Sequence, residues 1–368
     1  VVGHLDTGVN YYHRDLEDHI WTNLDETPGN NVDEDLNGYV DDYHGFDFYN
    51  RNGFPLDDNG HGTATAGVIA GDGTSGDTTG VAPDAAIMCL KVTSSLGEAY
   101  ESDVWEAIEY AIENGANLLN LSLGWMHSWS PDRQAWRNVL NSSLAAGILA
   151  CAAGGNERVG GAPPPDNIRT PGDVPPPWLH PDQTLAGGSS GVLTVGATDE
   201  DDSTSYFSSY GPVSWQSVGP WYDYPHSPGM GLIDPDISAP GEGITSLYAF
   251  SNDQYAGPWS GTSFSAPHIT GAAALLLSKN SQLSPAMLDS ILETTAIDLG
   301  YPGKENDYGA GRADLLQAIG VEVDLDIVDN SLDVSSNTMH LYGLPGITVY
   351  GEYVLVNPDA PESNPDPL

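Results

Sequence analysis

A chain of 368 residues has room for one large or two ordinary domains with a sizeable core. Its 52 acidic against 10 basic side chains leave a formal charge of -42, which argues against nucleic acid or an anionic membrane as partner. The acids are scattered and the surface repels itself, so the fold is expected to rely on bound cations or high ionic strength, as in a calcium-rich exported protein or a halophile.

The chain opens on VVGHLDTGV, an apolar strand ending at Asp6 with nothing before it. This reads as a processed or truncated N-terminus from which an export signal has been lost. From about Leu16 to Asn59 the sequence is a polar loop region dense in Asp, Asn and Gly. HGTATAGVIAG from His61 reads as a small-residue helix, and GVAP leads into the apolar strand Ile87 to Val92. A helix follows with Ser102 as its expected cap, Val104, Ile108, Ala111 and Ile112 at helical spacing, and Asn114 with Gly115 at its end. Then come the strand Leu118 to Leu123, a helix from about Asp132 to Ala146, and strands over Ile148 to Ala152 and Val192 to Ala197. The segment Gly160 to Gly191, with APPP and VPPPW, reads as a long surface loop. Cys89 and Cys151 fall in apolar runs, as small buried hydrophobes do.

Beyond a helix around Arg312 to Ile319 the pattern changes. VEVDLDIV and ITVYGEYVLV alternate like half-buried strands, and PDAPESNPDPL resembles a linker. A boundary near Gly320 therefore divides a main domain, 1–320, from an incomplete C-terminal β extension and linker, 321–368. No apolar run approaches the ~20 residues needed to cross a bilayer.

Alternating strands and helices with strands this apolar predict a mostly parallel sheet covered by helices on both faces, a three-layer α/β/α architecture. Sites in such sheets form at the carboxyl ends of the strands. Asp6, Ser122 and Asn156 each follow a strand, and His61 and Ser263 each begin a helix. In GTSFSAPHITGAAALLL, Gly261 to Leu277, a glycine turn delivers Ser263 to a helix N-terminus whose free N–H groups face developing negative charge. Pro267 falls in the first helical turns, where its missing N–H is expected to remove little. Serine, histidine and aspartate together supply nucleophile, base and orienting carboxylate for acyl transfer. A helix-capping Ser263 is the plainer reading of that stretch alone. A lone DTG also occurs in aspartic proteases, but the second DTG they need is absent from this sequence.

Taken together, LDTGV at Asp6, NGHGT at His61, SLG at Ser122, AAGGNE ending at Glu157 and GTSFSAPH at Ser263 resemble the subtilisin-like serine proteases, the subtilase family. FSSYGP, PDISAPG and YGAGRAD extend the resemblance over almost everything before Gly320. It implies a secreted, monomeric serine endopeptidase acting on proteins or peptides and folding with its own prosegment. Ser263 would attack the scissile carbonyl, His61 would carry the proton, and Asp6 would orient His61. Asn156 and the Ser263 amide would form the oxyanion hole. Ser122, Leu123 and Gly124 would pair with the substrate backbone by strand addition, with Ala153 and Gly154 across the cleft. Four departures stand out. Gly154 and Gly155 precede Asn156 where one glycine is usual, and Ala64 occupies the place of a common second histidine. Trp125 is expected to narrow or roof the pocket, and the proline-rich segment to reshape its floor. A subtilase-type acyl transferase or macrocyclase and a noncatalytic peptide-binding protein of the same fold are the alternatives.

A second constellation is DEDLNGYVDD. Asp33, Asp35 and Asn37 alternate, with Gly38 sixth, as in a calcium loop, but His44 holds the twelfth position and excludes a full EF-hand. Asp33, Asp35, Asn37 and Asp42 are the expected ligands of a structural calcium ion; a solvated acidic turn is the plainer alternative. Asp15 matches a family calcium ligand, and Asp47 is a weaker candidate.

Overall fold

The computed structural model describes residues 1–320 apart from 77, 78, 185, 186 and 228, and beyond them the strands at 338–340 and 348–350. Seven strands form one sheet: β1 Val2–Asp6, β2 Gly45–Asp47, β3 Ile87–Lys91, β4 Leu118–Leu121, β5 Leu149–Ala153, β6 Val192–Thr198 and β7 Ile237–Pro240. The order is β2-β3-β1-β4-β5-β6-β7 and every pair is parallel. Parallel strands need crossovers that put helices on both faces, and β1, β3, β4, β5 and β6 are accordingly buried along their whole length.

Helices α1 (His61–Ala70), α4 (Thr262–Lys279) and α5 (Pro285–Thr294) cover one face around Val2, Cys89, Cys151 and Ile237. Helices α2 (Glu101–Glu113) and α3 (Arg133–Ala145) cover the other around Leu5, Leu90, Leu119 and Trp136. The three-layer reading of the sequence holds. On β1 the period of two sends Val2, His4 and Asp6 toward α1 and α4, and Gly3 and Leu5 toward α2. A hairpin of β8 (Ile244–Leu247) and β9 (Tyr255–Trp259) packs on α1, and α6 spans Leu315–Ala318.

Several local expectations change. Helix α2 starts at Glu101 after Tyr100, with no side-chain cap, so Ser102 lies inside it. Glu101 and Asp103 in its first turn favour the positive helix end instead. Residues 167–177 of the proline-rich segment are buried apart from half-buried Arg169, rather than forming a surface loop. The reason is local ion pairing: buried Asp173 accepts from Arg133 and His127, holding the segment against the body. Asp173 is depressed to about 2; burial pushes its pKa up, and Arg133 and His127 outweigh that.

Contacts divide the chain into Val1–Gly320 and Val321–Leu368. In the second unit β10 (Thr338–His340) pairs antiparallel with β11 (Thr348–Tyr350), which falls within ITVYGEYVLV. The expected strand VEVDLDIV lies outside the described residues. Among the described residues no helix is long and apolar enough to cross a membrane.

Candidate active site

Strand β1 ends by delivering Asp6 beneath the first turn of α1. Gly60, the cap position of that helix, has φ +110° and no side chain to offer its free amides. Asp57 supplies what is missing: one oxygen accepts from Gly60 N and Thr7 Oγ1, the other from Thr63 N and Thr63 Oγ1. Thr7 in turn accepts from Gly62 N at 2.8 Å, which joins the strand end to the helix start. A Cβ on Gly62 would stand 2.1 Å from the Gly8 carbonyl, so only glycine allows this approach.

That clamp sets His61 against Asp6. His61 Nδ1 donates to Asp6 Oδ1 at 2.7 Å, and Asp6 also accepts from Thr7 N at 2.7 Å and Thr65 Oγ1 at 3.1 Å. Burial pulls the His61 pKa down, but the Asp6 charge and hydrogen bond outweigh it and leave the pKa raised. For Asp6, burial pushes upward and the His61 charge and hydrogen bond prevail, leaving it lowered. The Asp6 bond takes Nδ1 and leaves Nε2 as the ring's other nitrogen. Phe264 packs edge-on against the ring with centroids 5.7 Å apart.

Ser263 sits in the first turn of α4. Pro267 is the sixth residue of that helix, so its missing N–H orphans the Ser263 carbonyl, contrary to the expectation that little would be lost. Ser122 repairs this: its hydroxyl donates to Ser263 O at 2.8 Å, while Ser263 Oγ donates to Ser122 O at 3.2 Å. Two bonds therefore tie the end of β4 to the head of α4.

Asn156 is exposed, and its side-chain oxygen is fixed by Thr262 N at 2.9 Å and Thr262 Oγ1 at 3.1 Å. Its Nδ2 and Ser263 N both lie close to Gly261: a Cβ there would stand 3.3 Å from Asn156 Nδ2 and 3.8 Å from Ser263 N. The extra glycine has a role here. Gly155 has φ +115°, and a Cβ on it would collide with Glu157 Oε2 and Arg169 Cγ, at 2.6 and 2.9 Å.

Two side chains that sequence reasoning passed over, Arg169 and Glu157, lie against the Gly124 and Gly154 segments. Arg169 makes a bidentate pair with Glu157, its Nε 2.9 Å from Oε2 and its Nη2 on Oε1, and Nη1 reaches Gly124 O at 3.3 Å. Arg169 N donates to Gly154 O at 2.9 Å, and Thr170 exchanges two backbone bonds with Trp125, so this segment bridges both walls. The Trp125 ring does not roof the cleft: it turns into the core against Trp136, centroids 5.3 Å apart. No sequence signal marks Arg169, because only the fold of a long insertion carries it there.

In the acidic loop, Glu26, Asp35 and Asp42 bring one carboxylate oxygen each to within 4.8 Å of one another. Burial raises the pKa of Glu26 and of Asp42, so ionised oxygens there favour a counter-cation. Asn37 Nδ2 donates to Asp35 Oδ2 and Asp42 Oδ2 at 3.1 and 3.0 Å. The Asp33 carboxylate instead accepts from the amides of Asn37 and Gly38. Asp15 accepts from Ser75 N and Tyr255 Oη, and Asp47 from Asn50.

A family model described as the subtilase family matches residues 1–311. The chain is similar to an alkaline protease of Alkalihalobacillus alcalophilus, 33% identical over 256 residues, covering 69% of this chain and 53% of that protein. It is similar to subtilisin Savinase of Lederbergia lenta, 33% identical over 256 residues, covering 69% of this chain and 76% of the relative. Subtilisin DY of Bacillus licheniformis is 31% identical over 264 residues, covering 71% and 80%. The chain thus spans about half the length of the first of these relatives and about three quarters of the other two.

Proposed function

The chain belongs to the subtilase family, and from that premise we propose that it is a serine endopeptidase in which Ser263 is nucleophile, His61 base and Asp6 orienting carboxylate. The observation that carries the reading is the 2.7 Å Asp6–His61 bond, set beside the α4 N-terminus, where Phe264 packs on the His61 ring and Thr262 holds the Asn156 side chain. Aspartate holds the imidazole with Nδ1–H toward itself and Nε2 free to accept a proton.

In the reaction the substrate backbone pairs with Ser122–Gly124 between walls completed by Ala153 and Gly154. Ser263 Oγ leaves the Ser122 carbonyl, passes its proton to His61 Nε2 and attacks the scissile carbonyl. The oxyanion receives hydrogen bonds from Ser263 N and Asn156 Nδ2, whose orientation Thr262 has already fixed. His61 returns the proton to the leaving amine. Water then loses a proton to His61 as it attacks the acyl-enzyme, and collapse of the second tetrahedral species restores Ser263. The Arg169–Glu157 pair across the cleft favours a small side chain before the cleaved bond.

Glu26, Asp35 and Asp42 would hold a calcium ion, with Asn37 beside them and Asp33 shaping the turn; three acids and hard oxygen donors fit that cation. Bound there, it would offset charge in the loop. We place the enzyme outside the cell, as a monomer that folds with its own prosegment. The test is product mass after incubation with an unfolded protein substrate: fragments whose masses together exceed that of the substrate by one water per bond cleaved, absent with Ser263→Ala, are expected. Intact or cyclised products would overturn the proposal.

A further inference from the structure

One buried histidine has no part in the mechanism above. His4 lies on β1 two residues before Asp6, on the same face of the strand, and is 1% exposed. It is not a spectator packed among apolar groups, because both ring nitrogens meet polar partners. Asn120 Nδ2 points at His4 Nδ1 at 3.3 Å, and His4 Nε2 lies 2.9 Å from the Gly62 carbonyl and 3.2 Å from Thr65 Oγ1.

The donors and acceptors fit one arrangement. An amide NH₂ can only donate, so Nδ1 accepts and the proton sits on Nε2, where Gly62 O and Thr65 Oγ1 receive it. The Thr65 hydroxyl also has the His61 and Gly62 carbonyls at 3.0 and 3.1 Å, and with Gly62 O taken by His4 its one proton goes to Asp6 Oδ2, 3.1 Å away and the charged acceptor of the three. At the other end, Asn120 is oriented by Thr270 Oγ1 on its carbonyl at 3.0 Å, and its amide donates to Ser122 Oγ at 2.9 Å. Ser122 donates to the Ser263 carbonyl. Thr65, Asn120 and Thr270 are each sealed from solvent. Burial lowers the His4 pKa against the opposing charge of Asp6, with His61 and Asp57 the other charged groups around it, so the ring is neutral where the enzyme would work.

Resting on the catalytic reading of Asp6, His61 and Ser263, we propose that His4 is a positioning residue for the Asp6 carboxylate. Through Thr65 it holds Asp6 toward His61 Nδ1, and through Asn120 and Ser122 it locks that end of the site to the Ser263 carbonyl. One buried hydrogen-bonded chain thus spans β1, α1, β4 and α4, and three of these elements carry Asp6, His61 and Ser263.

Leucine at position 4 keeps the bulk and removes both nitrogens, so with His4→Leu the Asp6 carboxylate loses its alignment. The expected result, per active site counted by fluorophosphonate titration, is a kcat lower by about 10- to 100-fold with KM little changed. The acid limb of the kcat/KM profile moves to lower pH, because a slackened Asp6 no longer raises the His61 pKa. His4→Gln, which presents one acceptor and one donor, restores much of both. Thr65→Val removes only the hydroxyl that touches Asp6 and gives the same shift, which keeps the proposal testable if His4→Leu does not fold. An unmoved acid limb and unchanged kcat in folded His4→Leu or Thr65→Val would overturn the positioning role, leaving only a stability effect. Failure of the parent enzyme to label at Ser263 would instead overturn the catalytic reading itself.

Discussion

Replacing Lys304 by methionine removes the ammonium that Asp236 Oδ1 and Glu293 Oε1 share at 2.8 and 2.9 Å. Asp234 and Asp289 are buried beside them, so four carboxyls surround one lysine in a region closed to water. Burial raises all four carboxyl pKa values, that of Glu293 to about 7, and Lys304 pulls each back down. Removing one member of a buried pair costs about 3–5 kcal/mol, and two hydrogen bonds to charged groups at about 1.5–3 kcal/mol each agree with that. At about 2 °C per kcal/mol for a chain of this size, the midpoint falls by about 6–10 °C at pH 8. The pH dependence has a definite sign. A carboxyl whose folded pKa exceeds its unfolded one contributes stability that is complete below the unfolded value and is lost as pH rises through the folded value. For Glu293, moving from 4.5 to about 7, that is about 3 kcal/mol at about 1.4 kcal/mol per unit. Without Lys304 the carboxyl pKa values climb further, so the deficit of Lys304→Met against its parent is smaller near pH 5 than at pH 8. Chemical denaturation at both pH values, in a Ser263→Ala background that prevents self-digestion, measures it. A deficit under about 1 kcal/mol at pH 8, or an equal deficit at both pH values, would refute the reasoning.

Asn156→Ala should lower kcat by about 10²–10³ with KM nearly unchanged, since its amide acts on the oxyanion and not on the bound peptide; steady-state kinetics on a peptide ester or anilide reads this. Arg169→Gly opens the cleft that the Arg169–Glu157 pair crosses, and a substrate library should show preference moving from small toward large side chains before the cleaved bond. The raised His61 pKa puts the acid limb of kcat/KM above the ordinary ~6.5 of histidine, and Asp6→Asn should both lower that limb and cut kcat by about 10⁴. Calcium should raise the melting temperature, and the combined Glu26→Gln and Asp42→Asn variant should lose most of that response in calorimetry.

The sheet was legible where strands are long, apolar and covered on both sides, as in β3, β5 and β6. It was not legible at the edges: β2 has three residues and β7 four, the last a proline, too few for a periodicity to register. The hairpin β8–β9 went unread because Tyr255–Trp259 contains both glycine and proline. Helix α5 carried a signal that was passed over, Ser284 with Pro285 behind it, and Ser284 caps Met287 N. At the site, Asp6, His61, Asn156 and Ser263 could be named because each stands in a short motif at the end of an element. What supports them was hidden. Asp57, Thr65, Asn120 and Thr262 act across 50 to 150 positions of sequence, and their partners are set by folding alone. Glu26 joined Asp35 and Asp42 for the same reason, since the loop doubles back between them.

The most direct test of Ser263 as nucleophile is the intact mass of the full chain after incubation with a fluorophosphonate, with and without calcium, followed by mapping of the adduct. One adduct on Ser263, absent in His61→Ala, is the predicted result and would show that Asp6, His61 and Ser263 act as a unit. Folded protein that takes no label in either condition, or carries it on another residue, would contradict the assignment.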